Sequence, residues 1–507
     1  MFLRQRCCIK VPMAGASAQM LLVEQQQIFQ EIPMSPVCAG SADSLNSNVY
    51  DVTRWQEGNA HEDIGAVINS IIAHIKQRQN CAEHGLDRSE GKPGAVIYIP
   101  PGDYHLKTQI LVDISYLRIE GSGHGFISSS IRFNTEKSAL EQYQDIWPGG
   151  SRILVDLNVT PEQYRTQGPE AGAAILVKRE GMPRISSVEF SGFCIDGLHF
   201  TEMDGKIDEN SYLNGKTGIY IGCANDSFCF RDMGFIYLEH GLTICEADAL
   251  SVDNNFIAEC GSCVELRKCG QASRIANNLM GAGYNGHTIY AENHGGLLVT
   301  GNNVFPRGRS SVHFKNVSRS TITSNRLHSF YSGMVILSGK CCENLIGSNH
   351  LLRDPEPWEP MKGYNNNIED DYGLIHIEGN NNTVTGNHIS SSIGPDKLIF
   401  CECSCREDQA PVMIRIAEGH GNYVASNHIV ATDPDAGKKH DDTAREASEC
   451  FATQVEAMTS ITNLKDLEKC VDVLIDETAG MNSVIYSSRK SKTIDNGRDN
   501  MLVTMPG

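Results

Sequence analysis

Aromatic residues are scarce in this chain of 507 residues: they make up 7%, and only three are tryptophan. That scarcity suits many short strands joined by tight turns. Long apolar runs are missing too. No stretch approaches the ~20 residues of a membrane-spanning helix. The opening MFLRQRCCIKVPMAGASAQMLLVEQQQ is basic but has no uninterrupted apolar segment of signal-peptide length, so Met1–Ser44 reads as a poorly ordered extension. Positive charge is in deficit, with 43 Lys and Arg against 62 Asp and Glu and a net charge of −19. That balance argues against nucleic acid and membrane surfaces as partners and disfavours polyanionic substrates. Neutral carbohydrates remain open.

Ordered cysteine spacing is lacking as well, although there are 18 cysteines. Cys7-Cys8 and Cys341-Cys342 are adjacent pairs, Cys260-x-x-Cys263 has no second CxxC at zinc-finger spacing, and Cys401, Cys403 and Cys405 alternate as in a strand. These spacings read as buried free thiols, not as disulfides or a metal site, and suit a reducing compartment. An Asp-rich calcium loop is also absent from the sequence.

What is present is repetition. The 47 glycines and frequent Asn suit short strands joined by tight turns. Asp63–Gln79 reads as a helix with Asp63 as N-cap and an apolar stripe of Ile64, Val67, Ile68, Ile71, Ile72 and Ile75. Strand spacing follows through AVIYIPPGDYHLKTQILV and YLRIEGSG. An aliphatic residue followed three positions later by Asn then recurs at Val252/Asn255, Ile275/Asn278, Val299/Asn302, Ile322/Asn325, Ile346/Asn349, Val384/Asn387 and Val424/Asn427. Steps of 23–24 residues mark a solenoid, and the two long steps at the end predict inserted loops at Arg353–Asp371 and Ser391–Gln409. The Asn residues are expected to stack on one another at a repeated turn and to tolerate left-handed backbone there. The expected fold is all-β: a right-handed parallel β-helix, clearest over Ala174–Val430, with the helix covering its open end. The expected organisation is an extension over 1–44, the β-helix over 45–432, and a capping or interface segment over 433–507 in which Val471–Ile475 and Met481–Tyr486 look like strands and Val455–Leu467 has helical spacing.

Near the middle of the array, Ala247–Leu266 carries Asp248, Asp253, Glu259 and Glu265. Asp248 and Glu259 lie about half a coil apart. If the chain bends sharply between them they line one groove; otherwise they face different sides and a neighbouring subunit has to complete the site. Two carboxyl groups facing one glycosidic bond suffice for acid–base chemistry on a sugar.

Several stretches in order along the chain, among them IPPGDYHLKTQILVDISYLRIEGSGHGF, FIYLEHGLTICEADAL, NNFIAECGSCVEL, AENHGGLLVTGNNVFPRGRS and FYSGM, resemble the inulin fructotransferases of glycoside hydrolase family 91. The resemblance implies a homotrimer of parallel β-helices with sites at subunit interfaces. It also implies a fructan (inulin) substrate, from which intramolecular fructosyl transfer releases a difructose anhydride; some members open the anhydride instead. The family's catalytic Asp and Glu, about eleven residues apart, fall on Asp248 and Glu259. A competing register puts the Glu on Glu265, but its partner would then be Asn254, an amide unable to act as acid or base. No metal or organic cofactor is implied. The resemblance leans towards secretion, against the free thiols.

Glu259, between Ile257-Ala258 and Cys260-Gly261, is expected to be the acid, because apolar surroundings keep a carboxyl protonated; Asp248 is then the base. Glu246 shares a face with Asp248 and repels it unless a turn separates them. Glu265, Asp196, Arg307, Arg309 and Tyr331 are candidates for holding sugar, whereas His240 reads as a structural histidine. Two rivals remain: a pectin- or uronate-type β-helix lyase or hydrolase, and a non-catalytic carbohydrate-binding β-helix.

Overall fold

The computed structural model describes residues 48–79, 94–125, 149–181, 184–197, 202–203, 206–207, 214–281, 286–305, 310–329, 332–353, 372–392, 412–432, 471–486 and 493–504. The strands stack into three long parallel sheets, here A (14 strands), B (11) and C (12), with a short five-stranded sheet D between C and A. One coil runs His240–Cys245 in C, Ala247–Asp248 in D, Ser251–Asp253 in A and Phe256–Ala258 in B; Ser262–Arg267 then re-enters C one level on. This is the expected parallel β-helix. Among the described residues, no helix is long and apolar enough to cross a membrane.

The coil geometry follows from the repeat. Many strands of sheet A have three residues, of which the middle one points inward. Val252, Ile275, Val299, Ile322, Ile346, Val384 and Val424 therefore fall in register up sheet A, each at most 3% exposed. A single aliphatic side chain per short strand cannot make a core within one coil, so stability comes from stacking neighbours.

The predicted Asn stack is present at the corner between sheets A and B. Each side-chain amide donates to the next Asn up the stack: Asn255 to Asn278 at 2.9 Å, Asn278 to Asn302 and Asn302 to Asn325 at 3.0 Å, and so on through Asn349 and Asn387 to Asn427. The same amides also reach backbone carbonyls of a preceding coil, as Asn302 does to Ile275. One expectation is corrected: the ladder residues are not left-handed. Positive φ falls on the residue before, at Asn254, Asn277, Gly301, Ser324, Ser348, Gly386 and Ser426. That residue makes the turn, which frees the ladder Asn to point inward. A second ladder, Asn344–Asn382–Asn422–Asn482–Asn500, runs along the start of the sheet A strands. Replacing Asn302, 1% exposed, by Ala removes amide contacts on both sides of one coil. The expected cost is ~2–3 kcal/mol, from buried partners left unpaired, read as a lowered denaturant midpoint with the fold retained.

Helix α1 (Ile64–Gln79) has the predicted apolar face, and its six stripe residues are buried. Asp63 accepts from the amides of Gly65 and Ala66 as a cap, and also from Lys107, Thr108 and the Thr108 hydroxyl. Burial raises the Asp63 carboxyl, but these hydrogen bonds outweigh it and hold it below its usual value. Beyond residue 432, Val471–Ile475 pairs onto sheet C and Ser483–Tyr486 onto sheet A, so the coil continues. The N-terminal extension, the Val455–Leu467 spacing and the two predicted inserted loops lie outside the described residues.

The corners are unequal. Most turns from C to A and from A to B take a few residues, the connection from Gly121 to Ser151 being longer, whereas several connections from B to C are long: Val155 to Ala173, Asp196 to Thr217, Arg353 to Ile375, Ser392 to Val412 and Thr432 to Val471. Additions concentrated at one corner of a solenoid mark its functional side.

Candidate active site

Glu259 sits at this B-to-C corner, immediately after the sheet B strand Phe256–Ala258. It has φ +51° and is fully buried; its amide donates to the Gly281 carbonyl and its own carbonyl accepts from Tyr237 on the previous coil. Asp248 sits at the other edge of sheet C, in the two-residue sheet D strand, half-buried, where Arg184 reaches its carboxylate at 3.0 Å. The six-residue strand His240–Cys245 separates the two corners. At ~3.3 Å per residue that is about 20 Å. The carboxyl groups flanking one glycosidic bond stand roughly 5–10 Å apart. Within one chain, then, Asp248 and Glu259 face different sides. Glu246, at φ +55°, supplies the turn before Asp248 and pairs with Lys268 at 3.1 Å.

Between these corners, the outer face of sheet C holds a dense polar cluster. Parallel register stacks Thr243 under Glu265 and Glu265 under Tyr290. Glu265 is 2% exposed and receives three donors: His240 Nδ1 at 2.6 Å and the Thr243 hydroxyl at 3.0 Å on Oε2, and Arg267 at 2.5 Å on Oε1. Burial opposes its charge, but His240 and Arg267 prevail and hold its pKa at about 2. Burial likewise works against the His240 cation, and the hydrogen bond and charge of Glu265, with Glu239, win, raising the imidazole above its ordinary value. Arg267 also lies over the Tyr290 ring, 4.1 Å from its centroid. His240, Thr243, Glu265 and Arg267 line a pocket of about 310 Å³ with Tyr220, Cys245, Lys268 and Pro169. A carboxylate held at about 2 stays ionised, so Glu265 is unfit to protonate a leaving oxygen near neutral pH. This weighs against the competing register.

One further residue reaches the cluster from the inserted side. The Tyr164 hydroxyl, on helix α2 (Pro161–Gln167), donates to Glu239 Oε1 at 2.7 Å and lies 3.1 Å from His240 Nε2. Below, on sheet B, Asp196 is buried and meets Arg152 at 3.4 Å, which also clasps Asp103. Lys216 donates to the carbonyls of Val155 and Gly197, and burial lowers its pKa to about 8 against the pull of Asp156 and Asp196. Asp196 therefore sits in an ion-pair network at the same corner. Arg307, Arg309 and Tyr331 lie outside the described residues. Sequence reading missed Glu239, Arg267, Tyr164 and Lys216, and took His240 as structural; both of its ring nitrogens are indeed engaged, but within the pocket. Cys260 and Cys263 are buried free thiols, with Cys260 pushed up to about 12 by burial. Among the described residues, no group of His, Cys, Asp and Glu has the geometry to hold a metal ion.

Residues 348–506 match the family model described as the β-helix repeat of inulin fructotransferase, and residues 174–361 match that of the periplasmic copper-binding protein NosD. The inulin fructotransferase (DFA-I-forming) of Arthrobacter globiformis is 41% identical over 395 residues, covering 76% of this chain and 90% of that protein. The crystal structure of DFA-IIIase from Arthrobacter chlorophenolicus A6 in complex with GF2 is 54% identical with a TM-score of 0.76, covering 88% of this chain and 97% of that one. The crystal structure of the same enzyme in complex with DFA-III is also 54% identical with a TM-score of 0.76, covering 88% and 96%.

Proposed function

Because this chain belongs to the inulin fructotransferase family, we propose that it is an enzyme acting at the fructosyl C2 of an inulin-type difructose unit, from a site shared between neighbouring subunits. The observation that carries the shared site is the placement of Asp248 and Glu259 at opposite edges of sheet C. One chain cannot bring both to one bond, whereas lateral association in a closed ring sets one edge of a subunit against the other edge of the next. A homotrimer is the assembly this reading adopts.

In the proposed mechanism Glu259 protonates the leaving glycosidic oxygen as C2 gains oxocarbenium character, and Asp248 takes the proton of the attacking group. When the attacker is a hydroxyl of the neighbouring fructose, tethering gives it a high effective molarity and an anhydride closes. When the attacker is water, the same two groups open the anhydride. Excluding or admitting water decides the outcome. Glu259 is sealed from solvent in this conformation, so the sugar reaches it only once the B-to-C corner opens. Glu265 and Arg267 hold the sugar's hydroxyls beside it, and His240, engaged through both ring nitrogens, fixes Glu265 in place.

The identity to DFA-IIIase, at 54%, supports anhydride opening as the favoured direction. The DFA-I-forming relative, at 41%, supports formation from inulin as the second reading. Separate incubations with DFA-III and with inulin, followed by mass spectrometry, distinguish them. The expected result is conversion of DFA-III into a disaccharide heavier by one water; a difructose anhydride appearing from inulin instead favours formation. Free fructose as the main product, or chelator-sensitive cleavage of polygalacturonate, overturns both.

A further inference from the structure

Helix α2 is held to the β-helix in an unusual way. It has a full capping box, Thr160 with Gln163, but none of its residues is buried. An amphipathic helix normally docks through apolar side chains. Here the tip of Tyr164 reaches Glu239 and His240. The chain then passes through Gly168–Glu170, whose Pro169 forms one wall of the pocket.

The hydrogen-bond directions around Tyr164 depend on His240. As a cation, His240 donates from both nitrogens, to Glu265 through Nδ1 and to the Tyr164 oxygen through Nε2. The tyrosine proton then has one acceptor left, Glu239 Oε1, whose other oxygen already takes the Gly215 amide. The bonds run one way: Arg267 to Glu265, His240 to Glu265, His240 to Tyr164, Tyr164 to Glu239. A neutral His240 that keeps its Nδ1–H on Glu265 presents a bare Nε2, which competes with Glu239 for the same proton. The ionisable groups facing His240 are Glu265 and Arg267 from the strand above, Glu239 beside it and Tyr164 from the helix.

We propose that His240 is a positioning residue of the pocket: its charge directs the Tyr164 hydroxyl onto Glu239 and so latches helix α2, with Pro169 behind it, against the pocket. The sign of the pH dependence follows. The His240 pKa in the folded chain is raised above its ordinary value, so the cation is fully present below about 6.5 and is lost as pH rises through the raised value. The Tyr164 hydroxyl is itself raised by burial and by Glu239, so it keeps its proton throughout. The latch is closed below about 6.5 and opens as pH rises through the raised value. That it serves sugar binding rests on the function proposed above; the latch itself does not.

The test is hydrogen–deuterium exchange of the Pro161–Gln167 segment from pH 6 to 9, corrected for intrinsic exchange, on the full chain in three forms: wild type, Tyr164→Phe, and Arg165→Ala as a control, since among the described residues Arg165 pairs with Glu162 at the surface. Wild type and Arg165→Ala should lose protection about ten-fold as His240 gives up its proton, and Tyr164→Phe should be unprotected at every pH. On the substrate that wild type turns over, KM should rise in step in wild type and be uniformly high and flat in Tyr164→Phe. Wild-type protection without a pH transition, or a transition that survives Tyr164→Phe, overturns the latch. If wild type shows the exchange transition but turns over neither fructan nor anhydride, the latch stands and the substrate reading fails.

Discussion

Glu259→Gln and Asp248→Asn are each expected to lower kcat by about 10²–10⁴, the usual worth of a positioned general acid or base. Folding should survive both. Each amide is nearly isosteric with the carboxyl it replaces, and the Asp248 ion pair with Arg184 is half-exposed, so losing it costs at most about 1 kcal/mol. Glu259 is fully buried, and its left-handed backbone is built into the stack of corner residues, so the Gln variant keeps the turn and changes only the proton. The check is kcat on the wild-type substrate together with thermal unfolding. Unaltered turnover in Glu259→Gln alongside lost turnover in Glu265→Gln transfers the acid role to Glu265, in spite of its depressed pKa.

Glu265→Gln should have the largest effect on stability. Glu265 compensates two buried or half-buried cations, His240 and Arg267, and a partner removed from a buried pair leaves the rest uncompensated, at about 3–5 kcal/mol. The pH dependence has two arms. Glu265 has a folded pKa of about 2 against an ordinary value of 4.5, so its contribution is complete above about 4.5 and is lost as pH falls towards 2. His240 has a raised folded value, so its contribution is complete below about 6.5 and is lost as pH rises through that value. Wild type should therefore be most stable in the mildly acidic range between the two, and Glu265→Gln should be less stable throughout with both arms flattened. Its catalytic effect should fall mainly on KM, because the pocket floor is disturbed while Glu259 and Asp248 remain. Denaturant midpoints from pH 3 to 9 measure this. A variant as stable as wild type at pH 6 would contradict the geometry of the pair.

The solenoid was legible because its physics repeats. One inward aliphatic per short strand and one inward Asn per corner recur at 23–24 residues, from Val252/Asn255 to Ile322/Asn325. The residue that makes the turn was misassigned by one position, since both members of Asn254-Asn255 and of Asn277-Asn278 are Asn, and sequence alone does not say which is bent. The second ladder escaped notice because insertions at the B-to-C corner spread its members unevenly, as between Asn422 and Asn482. The pocket was harder still. Tyr164, Glu239, His240, Glu265 and Arg267 come together only when three coils are stacked in register, and Tyr164 and Arg267 lie outside the stretches that carry the resemblance. The resemblance singled out Asp248 and Glu259 in the sequence, but which way each faces was not legible there. The left-handed turn at Glu246 and the full strand between the two corners decide it.

The most direct test of the shared site mixes the two inactive variants. Asp248→Asn and Glu259→Gln are purified separately, combined in equal amounts, dissociated and reassembled. If each site takes Asp248 from one subunit and Glu259 from the next around a closed ring, about one site in four receives both intact groups. The predicted result is about a quarter of wild-type turnover from two proteins that are each nearly inactive. A mixture no more active than either variant alone would show that each site draws both groups from one chain, and would contradict the account.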